Sequence, residues 1–127
     1  MSRTEPLKAL RSTCPVAAAL DLMGDRWTLL VLRDLLLGMH YYDELLEAPE
    51  GIATNILAER LRRLQEADMV VASSDPDNRR RKRYELTERG QSFAPVLLSL
   101  AKWGLEHIDG TKPDPRVVAY FESRKRR

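Results

Sequence analysis

Residues 41–67 constrain this chain more than any other stretch. Residues 41–46 read as a short helix, Glu47-Ala48-Pro49-Glu50-Gly51 breaks it, and a second helix follows over residues 54–67. Proline and glycine together resist helix continuation. Ala53, Leu57, Leu61 and Leu64 recur at spacings of 4, 4 and 3, which is one face of a helix. A short helix, a brief turn and an amphipathic helix make a helix-turn-helix.

The flanking segments complete an architecture. Pro15 suits a first helical position, where its missing N–H costs nothing. Residues 16–23 follow as a helix, with Gly24 as its stop. Asp25 can cap the next helix, residues 26–37. Trp27, Leu29, Leu30, Val31, Leu32, Leu35, Leu36 and Leu37 make that helix apolar almost all round, so burial is expected. Beyond the helix-turn-helix, residues 69–73 with Val70-Val71 predict a strand, and residues 83–86 predict its return. The turn formers of residues 74–78 lie between them. Thr87 can cap a long helix over residues 88–108, with Pro95 either kinking it or moving its start. Residues 112–115 read as a linker, and Val117, Val118, Tyr120 and Phe121 as a docking segment. The expected fold is mainly α with a small two-stranded β-ribbon: a winged helix-turn-helix.

With 127 residues, one domain spanning 1–127 is expected, with a core at 14–108, an arm at 1–13 and a C-terminal segment with a basic tail at 109–127. The net charge of only +2 makes local clustering of charge more informative than the total. A single cysteine, Cys14, excludes an internal disulfide and a multi-cysteine zinc site, and suits a reducing, cytoplasmic compartment. No apolar run reaches the roughly 18 residues of a membrane span. His40 and His107 lack metal-ligand spacing, and neither a CxxC pair nor a glycine-rich loop is present, so neither metal, cofactor nor enzyme activity is expected.

Opposite the Leu57/Leu61/Leu64 face lie Asn55, Ala58, Glu59 and Arg62, with Thr54 near the helix start and Arg63 on the flank. In DNA-binding helix-turn-helix proteins this part of the second helix enters the major groove. Arg can bond guanine, Asn adenine, and Glu can accept from cytosine. Arg60 and Arg63 suit phosphates. A solvated face with i,i+3 and i,i+4 ion pairs is the competing reading. Arg79, Arg80, Arg81, Lys82 and Arg83 then place five cations at the ribbon tip, beside the groove, where they can meet phosphates. Double-stranded DNA is therefore the expected partner. A winged helix used for protein–protein contact is the alternative, because fold alone does not fix function. The terminal Arg124-Lys125-Arg126-Arg127 reads equally as a solvated tail or a phosphate contact.

The sequence resembles the HxlR-type helix-turn-helix regulators of bacteria. The resemblance is carried by Cys14-Pro15, Leu20-Asp21 with Gly24, Trp27-Thr28-Leu29-Leu30 with Leu32-Arg33, Glu44-Leu45, Gly51-Ile52, Leu57 with Leu61, Tyr84-Glu85-Leu86-Thr87-Glu88-Arg89-Gly90 and Trp103-Gly104. It implies a winged-helix homodimer joined through its terminal helices, acting on a pseudo-palindromic site. Phe93, Val96, Leu97, Leu100 and Trp103 are the expected interface, and repression the expected output. The family's Arg-Phe before Glu-Leu is here Tyr41-Tyr42, so Tyr41 offers a phosphate a hydroxyl instead of a cation. The family's Ser after Gly-Ile is here Ala53, a poor cap, which moves the expected cap to Thr54. The basic approach to Tyr84 is closer to the wings of MarR-type regulators. Several HxlR-type regulators sense oxidants through a cysteine near position 14, so Cys14 is a candidate redox sensor; a small buried residue is the other reading. An oxidant or small molecule is the implied effector.

Overall fold

The computed structural model describes residues 10–125. Residues 1–9, Arg126 and Arg127, and the side chains of Phe121, Arg124 and Lys125, lie outside what it describes. The element order is α1 (Pro15–Met23), α2 (Arg26–Leu36), α3 (Tyr42–Leu46), α4 (Thr54–Glu66), β1 (Val70–Ser74), β2 (Lys82–Leu86), α5 (Glu88–Gln91), α6 (Ala94–His107) and α7 (Pro115–Lys125). The strands pair antiparallel, with Val70 opposite Leu86 and Ser74 opposite Lys82. This is the expected mainly helical winged helix-turn-helix.

The core forms where α2, α3 and α4 meet the base of the ribbon. Leu32 and Leu57 are wholly buried, and Val31, Leu35, Leu45, Leu61, Leu64, Met69 and Val70 pack with them. Burying a leucine is worth about 1.5–3 kcal/mol, so the 4-and-3 spacing of Leu57, Leu61 and Leu64 is enough to fix which side of α4 turns outward. Gly51, in the turn before α4, sits at φ +74, a conformation that a side chain resists. Asp25 caps α2 by accepting from the Thr28 N–H at 3.0 Å and the Thr28 hydroxyl at 2.6 Å.

Two expectations are corrected. The long helix over 88–108 is two helices, α5 and α6, separated at Ser92 and Phe93. Pro95 lies in the first turn of α6, where it is tolerated. Gly90 in α5 packs so tightly on the ribbon that a Cβ there would stand 2.2 Å from the Met69 carbonyl oxygen. The second correction concerns the cap of α4, which is Ala53 and makes no side-chain bond; Thr54 is the first helical residue.

The docking segment is a helix, α7. Arg116 at its start reaches Asp34 of α2 at 3.3 Å and Asp114 at 2.9 Å. Asp34 is almost wholly buried and is also held by Arg33 at 2.9 Å. Arg33 in turn grips Glu50, in the turn before α4, with two bonds of 3.0 and 2.8 Å. A buried carboxylate needs such partners, because an isolated one costs several kcal/mol. Between α2, α6 and α7 lies an apolar cavity of about 190 Å³ whose lining includes Leu29, Leu97 and Tyr120. Among the described residues no helix is long and apolar enough to cross a membrane.

Candidate nucleic-acid interface

The outward side of α4 presents Thr54, Asn55, Ala58 and Arg62 to solvent, with Glu59 and Arg63 partly covered. Arg62 is bracketed by Glu59 at 3.0 Å and Glu66 at 2.6 Å, at i,i+3 and i,i+4 spacing. Exposed pairs of this kind are worth only about 0.3–0.5 kcal/mol each, so they orient Arg62 without locking it. Asn55 and Ala58 lie beside it, both exposed, and among the described residues no hydrogen bond engages the Asn55 side chain. Tyr42 steadies the helix start by donating its hydroxyl to the Thr54 carbonyl at 2.5 Å.

Arg60, expected on a phosphate, is turned inward. Its Nε donates to Asp25 at 3.0 Å, and its guanidinium also bonds Glu59. The cap of α2 is thereby tied to α4. Burial works to raise the Asp25 carboxyl, but the Thr28 hydroxyl and amide and the Arg60 guanidinium outweigh it and hold it at about 2.

The five cations of the wing divide into two sets. Arg79, Arg80 and Lys82 are exposed, and no carboxylate among the described residues pairs with their side chains. Arg81 and Arg83 instead close on Tyr41, the N-cap of α3. The Arg81 guanidinium carbon lies 3.7 Å from the centre of the Tyr41 ring, and its Nη2 contacts Asp43 at 3.1 Å. That contact lowers the Asp43 carboxyl below its ordinary range. Arg83 donates to the Tyr41 hydroxyl at 3.4 Å and to Glu85 at 3.0 Å.

The Tyr41 hydroxyl, expected to face a phosphate, is engaged within the protein. Its hydroxyl donates to Asp75 at 2.9 Å, and Asp75 is only 8% exposed. The backbone follows the same path: Tyr41 bridges Arg83, and the Tyr84 N–H donates to the His40 carbonyl at 2.8 Å. His40 Nδ1 lies 2.9 Å from the Tyr84 carbonyl, which gives this histidine a structural place. Asp75 and Asp43 were not legible as members of this cluster. Asp75 reads only as a turn former, because a buried acceptor is visible only once its donor is brought across the fold.

Of the expected interface, Phe93 and Leu97 pack against the protein's own core, whereas Val96, Leu100 and Trp103 are exposed. Val16 and Leu20 of α1 are exposed as well. Trp103 stacks on His107 with ring centres 4.7 Å apart. Cys14 is an exposed free thiol at the N-cap of α1. Among the described residues no three His, Cys, Asp or Glu side chains are grouped to hold a metal.

The fold and the outward face of α4 define the class of winged helix-turn-helix transcriptional regulators. Residues 22–112 match the sequence model of the HxlR-like helix-turn-helix proteins, and the chain belongs to that family. It is similar to an HTH-type transcriptional regulator of Synechocystis sp., 34% identical over 96 residues that cover 76% of this chain and 71% of that one. An HTH-type regulator of Mycobacterium tuberculosis is 38% identical over 120 residues, covering 81% and 73%. The solved structure of the redox regulator HypR in its oxidised form matches with a TM-score of 0.68 at 26% identity, covering 76% of this chain and 99% of that one. The protein is a helix-turn-helix regulator and not an enzyme.

Proposed function

We propose that this protein is a cytoplasmic homodimer that binds a pseudo-palindromic DNA operator and represses transcription from it. The observation that carries the reading is the pair Tyr41-Tyr42 at the start of α3. One holds the wing through Asp75, and the next holds the first turn of α4 through Thr54. Wing and recognition helix are thereby braced from one point, as a common partner requires. In this reading Thr54, Asn55, Ala58, Glu59 and Arg62 meet base edges, Arg63 flanks them, and the free wing cations meet phosphates. The whole chain acts as one domain.

Dimerisation is supported by the apolar side chains that α1 and α6 leave in solvent. Trp103 is 56% exposed and Leu100 53%. Val96, Leu100 and Trp103 follow one side of α6 at spacings of 4 and 3, and an exposed apolar stripe of this kind marks an interaction site. Two recognition helices would then enter successive major grooves about 34–36 Å apart. Occupancy of the DNA is the proposed output, and repression its simplest consequence. Sequencing DNA selected from a random pool by the purified protein tests both parts. A symmetric motif is expected; recovery of no enriched sequence would count for the protein–protein alternative.

Control by an oxidant or electrophile at Cys14 is a second reading, favoured by the exposure of that thiol and by the similarity to a redox regulator. With one cysteine per chain, a disulfide would join two subunits or capture a small thiol. Labelling of Cys14 by iodoacetamide faster than a model thiol is expected; an equal rate removes the motive for this reading.

A further inference from the structure

We propose that Tyr41 is a positioning residue for DNA binding: it clasps the wing to the helix-turn-helix, and Arg81 and Arg83 serve that clasp instead of meeting phosphates. The inference rests on the DNA-binding reading and adds a division of labour within a run of five cations that look alike in the sequence.

Four contacts converge on one residue, three of them on its ring and hydroxyl. Asp75 accepts from the hydroxyl at 2.9 Å, Arg83 donates to the same oxygen at 3.4 Å, Arg81 covers the ring face at 3.7 Å, and the backbone of Tyr41 bridges Arg83. Asp75 also closes the tip itself. Its N–H donates to the Arg81 carbonyl at 2.8 Å, while its carbonyl accepts from Asn78 at 3.3 Å. A two-stranded ribbon alone is marginally stable in water, so its direction has to be set by something outside it. A buried carboxylate with a hydroxyl donor does so at one point, and a guanidinium stacked on the ring does so at a second. Arg81 further spends its charge on Asp43, and Arg83 on Glu85. Arg79, Arg80 and Lys82 keep theirs. The clasp therefore holds three cations outward at a fixed angle to α4.

The test compares single variants in binding to a random-sequence duplex over a range of salt, and in amide exchange without DNA. Arg79→Ala and Arg80→Ala should each lower the log–log salt slope by about 1. Arg81→Ala and Arg83→Ala should weaken binding at an unchanged slope. Tyr41→Ala should speed exchange at the Asp75, Asn78 and Arg81 amides roughly tenfold, with Leu57 and Leu61 of α4 still protected, which separates release of the wing from unfolding. Tyr41→Phe, which keeps the ring under Arg81, should restore part of that protection. A slope lost to Arg81→Ala as large as that lost to Arg79→Ala overturns the proposal, as does unchanged exchange in Tyr41→Ala. A flat slope for the unaltered protein with faster exchange in Tyr41→Ala would remove the DNA reading while leaving the clasp in place.

Discussion

Arg60 of α4 donates to Asp25, the cap of α2, across 3.0 Å. Asp25 thereby does two jobs: it satisfies the first turn of one helix and fixes the angle of another. Removing it should cost more than an ordinary cap. Asp25→Ala is expected to destabilise the protein by about 1–2 kcal/mol, read as a lower denaturant midpoint at unchanged slope. Arg60→Ala should reproduce part of the same loss, and additive losses in the double variant would show that the two side chains act separately.

The same carboxyl makes stability depend on acid. Its folded value, about 2, lies below its ordinary 3.8. A carboxyl lowered on folding stabilises fully above its unfolded value and loses that contribution as pH falls toward the folded one. Asp25 should thus cost stability between about pH 4 and pH 2, by on the order of 1 kcal/mol after solvent screening. Denaturation midpoints of the protein and of Asp25→Asn should converge over that window; parallel curves would remove Asp25 as the cause.

Gly90→Ala should be severe for its size. The added methyl would meet backbone at Met69 and the side chain of Leu86. Neither the ribbon nor α5 can yield without loosening Val70 opposite Leu86. A loss of about 1–3 kcal/mol is expected, seen as a fall in Tm, whereas Gly104→Ala, inside α6 and with open space for the added carbon, should raise Tm slightly.

Reading and holding DNA should separate on mutation. Arg62→Ala is expected to cost about 1–3 kcal/mol on the selected operator and little on random DNA. Arg79→Ala should weaken both. Competition binding on the two duplexes at one salt concentration measures the difference, and equal ratios for the two variants would refute the division.

Leu100→Glu puts a charge into the exposed apolar stripe of α6, at a side chain 53% exposed and outside the buried core cluster. Sedimentation velocity should show the species moving from dimer to monomer with unchanged far-UV dichroism. An unaltered sedimentation coefficient would place the interface elsewhere.

Much of the fold was legible because its signals are local. The 4-and-3 spacing of Leu57, Leu61 and Leu64, the break at Pro49 and Gly51, and the Val70-Val71 strand each follow from neighbours in the chain. Two local signals misled. Thr87 does cap a helix, but it lasts only to Gln91 before Pro95 starts another. Ala53 caps α4 despite its poor chemistry, because Ile52, buried beside it, and Tyr42, bonded to Thr54, hold the helix start in place.

By itself the sequence determined a helix-turn-helix followed by a cationic wing, since apolar periodicity and turn chemistry act over a few residues. Only the tertiary structure decided which cations the wing keeps free. Arg79 and Arg81 are chemically alike and two positions apart. What separates them is Tyr41, far back in the chain, whose ring and hydroxyl meet Arg81, Arg83 and Asp75 only once α3 has docked against the ribbon.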